Sequence, residues 1–587
     1  MNRMSIASAP RAGLRAASSA LTLALVAVAA CAAPEADSGE TPELVTTSYA
    51  PQNRPDVRGT IGAVSAGHPL AAQAGLEVLK NGGNATDAII AMAGVLAVTR
   101  PHMNGVGGDA FGIFYDGATG AVTALNASGR SGALATPDFF TQAGVDRIPQ
   151  SGALSVSVPG AVAGWVDAHD RFGSKPFAEL LQPAIHFARD GFAVSTRLAM
   201  DFEEQGGNLN EPGRALYLPG GSPPPVGTLL RNPELAASLE TIARRGKAGY
   251  YTGDIGRKLA AFIEAEGGHL RAEDFAAHTS NWVEPLAEEY LGHTIVVMPP
   301  NTQGPAQLAY MVMAAEHPQA EMGHNSARYL HTLIELKKLA FADRDRWVAD
   351  PDKADVPVDR LLDADYLRER AQQVDAEHAA ESVGPGFGGD PAGSDEEMDD
   401  RGDTVYLTAV DRWGNAVSWI QSNFAGFGSG LLEPETGILL HNRGALYTLE
   451  EGHPNQVAPG KRPYHTLSPM MALHTDGSFA FTLGTPGGDS QPQSLIQIVN
   501  NLLIFGMTPQ QAIEAPRFRS MGGVRVALEN RVPLATAEGL VALGHDLNLI
   551  DGWTATFGGA QMIFWDATNG VLTAAADPRR EAYALAY

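Results

Sequence analysis

The sequence predicts an α+β fold built in layers. Before residue 385, apolar residues recur mainly at the spacing of amphipathic helices, with a few short strands between them. Residues 385–403 break that pattern with glycines and acids. β-rich runs joined by tight turns follow, and then two further helical stretches. Helices first and hairpins later suit segregated layers better than repeated βαβ units.

The elements follow in chain order. Residues 1–31 read as an export signal: Arg3, Arg11 and Arg15 precede an apolar run at 21–30, with no acid. About ten residues is too short to span a bilayer and fits the apolar part of a signal peptide. The run ends at Val28-Ala29-Ala30-Cys31, and Cys31 is the only cysteine. Small residues before a cysteine resemble the lipobox of bacterial lipoproteins. Lipidation of Cys31 and a periplasmic, membrane-anchored location are therefore expected; an ordinary signal peptide cleaved nearby, with Cys31 incidental, is the other reading. Residues 32–58, rich in Pro, Ser, Thr and acids, read as a tether.

A strand-like run at 59–66 opens the body. Helices are predicted at 69–80, stopped by Asn81-Gly82-Gly83, and at 87–98, capped by Asn84 or Thr86 and ended by Arg100-Pro101. A glycine turn at 104–108 feeds a hairpin of 111–115 with 122–126. Further helices are expected at 159–169, 177–189 and 327–348. The segment 385–403 carries seven acids and few apolar groups, so it is expected to be a mobile loop. Gly384, Gly386 and Gly389 match GxGxxG, but no strand precedes them and no helix follows, so a dinucleotide site is rejected. Strands are predicted at 404–410, 416–422, 438–440, 470–474 and 479–483, with helices at 494–505 and 509–515.

Composition excludes several classes. The 587 residues include 66 acids against 41 Lys plus Arg, a net charge of −25. That leaves no basic footprint for nucleic acid. One cysteine excludes an internal disulfide, a Cys-rich zinc site and an iron–sulfur cluster. There is no GxSxG elbow, HExxH or P-loop. His331 and Glu335 stand one helical turn apart without an evident third ligand, so neither a metal nor a cofactor is expected.

What remains is Asp403-Thr404, where the acidic loop meets a hairpin. A threonine inside a chain has no base for its hydroxyl. If the preceding bond is cut, the residue gains an α-amine whose unperturbed pKa is about 7.7–8.0, beside that hydroxyl. Spacing alone does not separate this from an ordinary strand-start threonine.

The motifs around it carry a resemblance. Asp403-Thr404, Gly414-Asn415-Ala416-Val417, Gly426-Phe427-Gly428-Ser429-Gly430, Pro459-Gly460-Lys461-Arg462-Pro463, Ser468-Pro469, Thr485-Pro486-Gly487-Gly488 and Asp577-Pro578-Arg579 are similar to the γ-glutamyltransferase (glutathione hydrolase) family. Upstream, His68-Pro69-Leu70-Ala71, Gly105-Val106-Gly107-Gly108 and Ala342-Asp343-Arg344 resemble its large subunit. The resemblance implies an N-terminal-nucleophile hydrolase with an αββα four-layer sandwich. One precursor would cut itself between Asp403 and Thr404 into a large subunit, 59–403, and a small subunit, 404–587. It further implies Thr404 as nucleophile, Ser422 as its hydrogen-bond partner, and Gly487 and Gly488 as the oxyanion hole.

The chain departs from glutathione-handling members where substrate binds. Phe424, after Asn423, stands where an asparagine is usual. Arg443-Gly444-Ala445-Leu446 lacks the aspartate that holds a glutamyl ammonium. His465-Thr466 replaces a serine pair. The arginine for the substrate carboxylate has no direct counterpart; Arg130, two residues on, is either its replacement or a structural ion pair. Asn423, Arg443, His465, Thr466 and Arg130 are thus the candidate substrate contacts. The activity implied is a γ-glutamyltransferase or glutathione hydrolase acting through a threonyl acyl-enzyme, with a γ-glutamyl substrate such as glutathione. The alternatives are a cephalosporin- or glutaryl-acylase-like amidase of the same fold and a non-catalytic binding lipoprotein.

Overall fold

The computed structural model describes residues 53–389 and 402–587. The export signal, Cys31, most of the tether and residues 390–401 of the acidic segment lie outside them. Two seven-stranded sheets stack face to face, and helices cover both outer faces.

One sheet runs Tyr583–Ala586, Ala63–Ala66, Gly402–Val410, Ala416–Ala425, Asp109–Tyr115, Val122–Ala127, Asn281–Val283. The other runs Val57–Gly59, Val571–Ala576, Gln561–Asp566, Phe479–Gly484, Met470–His474, His293–Val297, Leu286–Tyr290. All pairings within both sheets are antiparallel.

The alternation of the strands assigns the layers. Val405, Leu407 and Ala409 face helices, while Tyr406 and Val410 face the opposite sheet. Ile295 and Val297 likewise pack under helices, whereas Val296 and Met298 enter the gap between sheets. The Thr408 and Thr482 hydroxyls bridge that gap at 2.7 Å. Both sheets are buried on two faces, which accounts for strands without polar-out alternation.

Local signals place most early elements. Pro69–Lys80 is helical as predicted. The next helix is Ala85–Thr99; Asn84, not Thr86, caps it, in a reciprocal capping box with Asp87. Every residue of that helix is buried, so its small apolar face has no solvent side to mark a period. The stretch predicted at 177–189 is two helices, Phe177–Leu180 and Gln182–Asp190, with Pro183 opening the second.

Two expectations are corrected. The tether does not reach residue 58: Val57–Gly59 pairs with Val571–Ala576, and the Arg54 amide donates to Glu514 at 3.0 Å. An edge strand needs only a backbone ladder, so a polar sequence can supply it. The acidic segment is also packed at its start: Phe387 stacks on Trp347 with ring centroids 5.1 Å apart, and the Gly386 amide donates to Asp343. At its far end, strand pairing already begins at Gly402.

The C-terminal motif serves the frame. Arg517 pairs with Asp577 at 2.8 Å and Arg579 with Glu529 at 2.6 Å, all four fully buried. Arg579 also donates to the carbonyls of Ile513 and Ala515. Charges this deep hold only when paired and hydrogen-bonded, and this set locks the chain just ahead of Arg580.

Candidate active site

Thr404 lies on an inner strand of the first sheet, and a bulge singles it out. Asp403 pairs with Phe424 and Val405 with Gln421, so Ser422 and Asn423 together oppose Thr404. The Thr404 hydroxyl donates to Ser422 Oγ at 3.0 Å. Ser422 donates in turn to the carbonyl oxygen of Asp403 at 2.8 Å. That carbonyl belongs to the peptide bond joining Asp403 to Thr404. The Phe424 amide and Arg443 Nη2 also donate to Ser422 Oγ, at 2.8 and 3.1 Å. One hydroxyl therefore touches a candidate nucleophile and polarises the carbonyl beside it.

Arg443 is fully buried and holds the next part of the site. Its Nη1 donates to Thr466 Oγ1 at 3.0 Å, and its guanidinium lies 4.5 Å over the Phe424 ring. Phe424 has φ +78°, a region that costs a bulky residue roughly 1–2 kcal/mol. Leu446 packs with Val348, Phe424, Ala445 and Tyr464 in a small buried apolar cluster.

Gln303 ties the walls together. Its side-chain amide donates to the Thr466 carbonyl at 2.5 Å and to the Gly488 carbonyl at 3.2 Å. Its own oxygen accepts from Arg344 at 3.0 Å, and Arg344 pairs with Asp489 at 2.8 Å. The Ala342-Asp343-Arg344 motif thus buttresses the glycine turn. Gly487 has φ +128°, and a Cβ there would stand 2.2 Å from Ser490 Oγ, so only glycine fits. Gly488 follows at φ +53°. The helix Ser490–Leu503 begins two residues later, which brings the positive end of a helix dipole to the turn.

On the other flank, Asp403 pairs with Arg580 at 2.9 Å, both buried. A cavity of about 10 Å³, lined by Thr404, Arg580, Arg100, Pro486 and Gln561 among others, has room for one water.

Asp109, the register partner of Ser422, organises the base of the site. Its Oδ1 accepts the Gly129 and Gly160 amides at 2.9 and 3.1 Å. Its Oδ2 faces His465 Nε2 at 3.3 Å and His441 Nδ1 at 3.7 Å. Burial raises the Asp109 carboxyl, but the His441, His465 and Arg443 side chains outweigh it and bring it down to about 2. Burial, then Arg443, drives the His465 imidazole down to about 3.

The structure thus gathers Thr404, Ser422, Arg443 and Thr466 in one hydrogen-bonded chain, with Gly488 tied to Thr466 through Gln303. His465 turns to Asp109. Asn423 is spent on backbone, donating to the Pro101 carbonyl at 3.2 Å. Arg130 goes elsewhere: it donates to the Thr279 carbonyl at 3.2 Å and pairs with Asp352 at 3.5 Å. Gln303, Asp109 and Arg580 were not singled out by sequence, because nothing local marks a polar side chain as buried beside a distant hydroxyl.

Two stacked antiparallel sheets with helices on both outer faces form the αββα layering of the N-terminal-nucleophile hydrolase fold. Residues 71–587 match the gamma-glutamyltranspeptidase family model, and the chain belongs to that family. It is 36% identical to the glutathione hydrolase-like YwrD proenzyme of Bacillus subtilis, over 90% of this chain and 99% of that one. It is 35% identical to the oxamate amidohydrolase proenzyme of Klebsiella pneumoniae, with the same two coverages. The crystal structure of cephalosporin acylase from Bacillus halodurans superposes with a TM-score of 0.83 at 34% identity, covering 93% of this chain and 99% of that one.

Proposed function

We propose that this protein is a self-processing amidohydrolase with Thr404 as its nucleophile and with acyl donors that lack an α-ammonium group. The observation that carries the nucleophile is the Thr404–Ser422–Asp403 chain of hydrogen bonds. In the precursor, Thr404 Oγ adds to the Asp403 carbonyl carbon, and the hydroxyl proton passes to the departing Thr404 nitrogen. The resulting ester is hydrolysed by water, leaving a carboxylate on Asp403 and a free amine and hydroxyl on Thr404. The amine then takes the hydroxyl proton as Oγ attacks a substrate amide, and returns it to the leaving amine. Water, or an amino-acid amine, releases the acyl group. General-base assistance of this kind is worth roughly 10²–10⁴ in rate.

The acyl preference rests on Leu446. A glutamyl ammonium beside Leu446, Val348 and Phe424 would lose hydration, and Leu446 stands where glutathione-handling members carry the aspartate that holds it. Relatives named as an oxamate amidohydrolase and a cephalosporin acylase support an amide substrate of that kind. The γ-glutamyl reading uses the same nucleophile and is favoured by the glutathione hydrolase-like relative.

Mass analysis of purified protein tests the first part. Wild type should give two chains, the smaller beginning at Thr404. Thr404→Ala should give one, and Thr404→Ser should still cleave, more slowly. An intact wild-type chain would point instead to a binding protein. Comparing γ-glutamyl with glutaryl anilides tests the second part: faster γ-glutamyl turnover would restore the glutathione reading. Export with an acyl anchor on Cys31 belongs to the same proposal, and palmitate labelling that persists in Cys31→Ala would remove it.

A further inference from the structure

The expectation that His331 and Glu335 lack a third ligand is overturned by His545. Ligand atoms of the three buried side chains lie within 4.8 Å of one another. We propose that they form a site for a divalent cation of the zinc class.

His331 and Glu335 share one face of the helix Ala327–Trp347, one turn apart. The helix Leu534–Ala542 packs close against it: a Cβ on Gly539 would lie 2.5 Å from Ala327 Cβ. The chain leaving that second helix brings in His545.

Proton accounting favours a cation. His331 Nε2 lies 2.7 Å from the Asp375 carbonyl oxygen, which can only accept, so Nε2 carries the proton. His331 Nδ1 is then a bare lone pair, and it faces His545 Nε2 at 2.8 Å. If His545 donates from Nε2, its Nδ1 becomes a buried acceptor without a partner, although the Val524 carbonyl lies beside that ring. A cation between the rings removes the conflict. Both inner nitrogens become ligands, and the His331 Nε2–H keeps the Asp375 carbonyl, the kind of outer hydrogen bond that orients a metal-bound histidine. Metal–nitrogen bonds of about 2.0–2.1 Å at a tetrahedral angle need the two nitrogens to part by about half an ångström from their present 2.8 Å.

Glu335 supplies the third ligand. Lys338 Nζ donates to its Oε1 at 2.7 Å and the Ala380 amide to its Oε2 at 3.2 Å. Lys338 also donates to the Ala380 carbonyl at 2.7 Å, so it keeps a partner when a cation displaces it. Two imidazoles and one carboxylate with an open position suit zinc better than calcium or magnesium.

The position has a consequence that rests on the scission reading. His331, Glu335 and Asp375 precede Thr404, and His545 follows it. In processed protein the cation would clamp one chain to the other.

The test uses untagged full-length protein, stripped with chelator and titrated calorimetrically with zinc sulfate, as wild type and as Thr404→Ala. One equivalent should bind at micromolar or lower concentration in both, since the site does not depend on cleavage. His331→Ala and His545→Ala should weaken binding at least 100-fold. Lys338→Met, which removes the competing ammonium, should tighten it about tenfold and guards against variants that merely misfold. Absence of binding in wild type and Lys338→Met, or titres unchanged in both histidine variants, would overturn the site. Zinc should also raise the urea concentration at which processed chains separate. If zinc binds but leaves that separation unmoved, the clamp fails; a wild type that never cleaves removes the scission reading and leaves the site standing.

Discussion

The Arg443 guanidinium lies 4.5 Å over the Phe424 ring while its Nη2 donates to Ser422 Oγ at 3.1 Å. Two departures from the glutathione-handling pattern are thus one physical unit beside Thr404. Phe424→Asn would relieve the φ of +78° but lose a buried ring and its cation. We expect a net destabilisation of about 1–3 kcal/mol, measured by urea unfolding, with the order of glutaryl and γ-glutamyl turnover moving toward γ-glutamyl.

Leu446→Asp places a carboxylate in the apolar cluster. A charged hydrogen bond to a substrate ammonium is worth about 1.5–3 kcal/mol, so the γ-glutamyl to glutaryl ratio of kcat/KM should rise roughly 10- to 100-fold. The melting temperature should fall, because without substrate the new charge is buried and unpaired.

Gly487→Ala puts a methyl 2.2 Å from Ser490 Oγ at a φ of +128°. On the proposed role of the Gly487–Gly488 turn as the oxyanion hole, displacing one donor costs about 10²–10³ in kcat. Steady-state assays of processed protein should show that loss with KM little changed.

Arg580→Met leaves the buried Asp403 carboxylate without its ion pair. Removing one partner of such a pair costs about 3–5 kcal/mol. Scission, followed by gel over time, should slow markedly, and adding Asp403→Asn should recover part of it by removing the stranded charge.

Acid should destabilise the fold early. His68, His278 and His465 sit at about 3 and His269 at about 4, chiefly through burial. Between pH 6.5 and those values the unfolded chain binds protons that the folded chain refuses. Stability therefore falls as pH drops through that window, by up to about 1.4 kcal/mol per pH unit for each ring. Asp109, held at about 2, acts lower: its contribution is complete above pH 3.8 and disappears as pH approaches 2. Urea midpoints measured from pH 7 to pH 3 should decline from about pH 6.5, well before ordinary carboxylates titrate.

Much of the frame was legible in local chemistry. Pro69–Lys80 and Met470–His474 stand at their predicted bounds because caps, prolines and turn residues act over a few positions. The strands His293–Val297 and Gln561–Asp566 escaped notice: each lies inside its sheet with a helix on one side and a strand on the other, so neither carries a clean period.

The sequence by itself determined which residue types could do the chemistry, and in what order: a threonine after an acid-rich segment, a serine across the hairpin, a glycine pair before a helix. Only the tertiary structure decided their partners. Arg443 reaches Ser422, Gln303 bridges Thr466 to Gly488, Arg580 neutralises Asp403, and His545 completes a cluster with His331 and Glu335. Propensity and capping depend on neighbours along the chain, whereas burial and hydrogen-bond pairing depend on neighbours in space, and those exist only once both sheets have stacked.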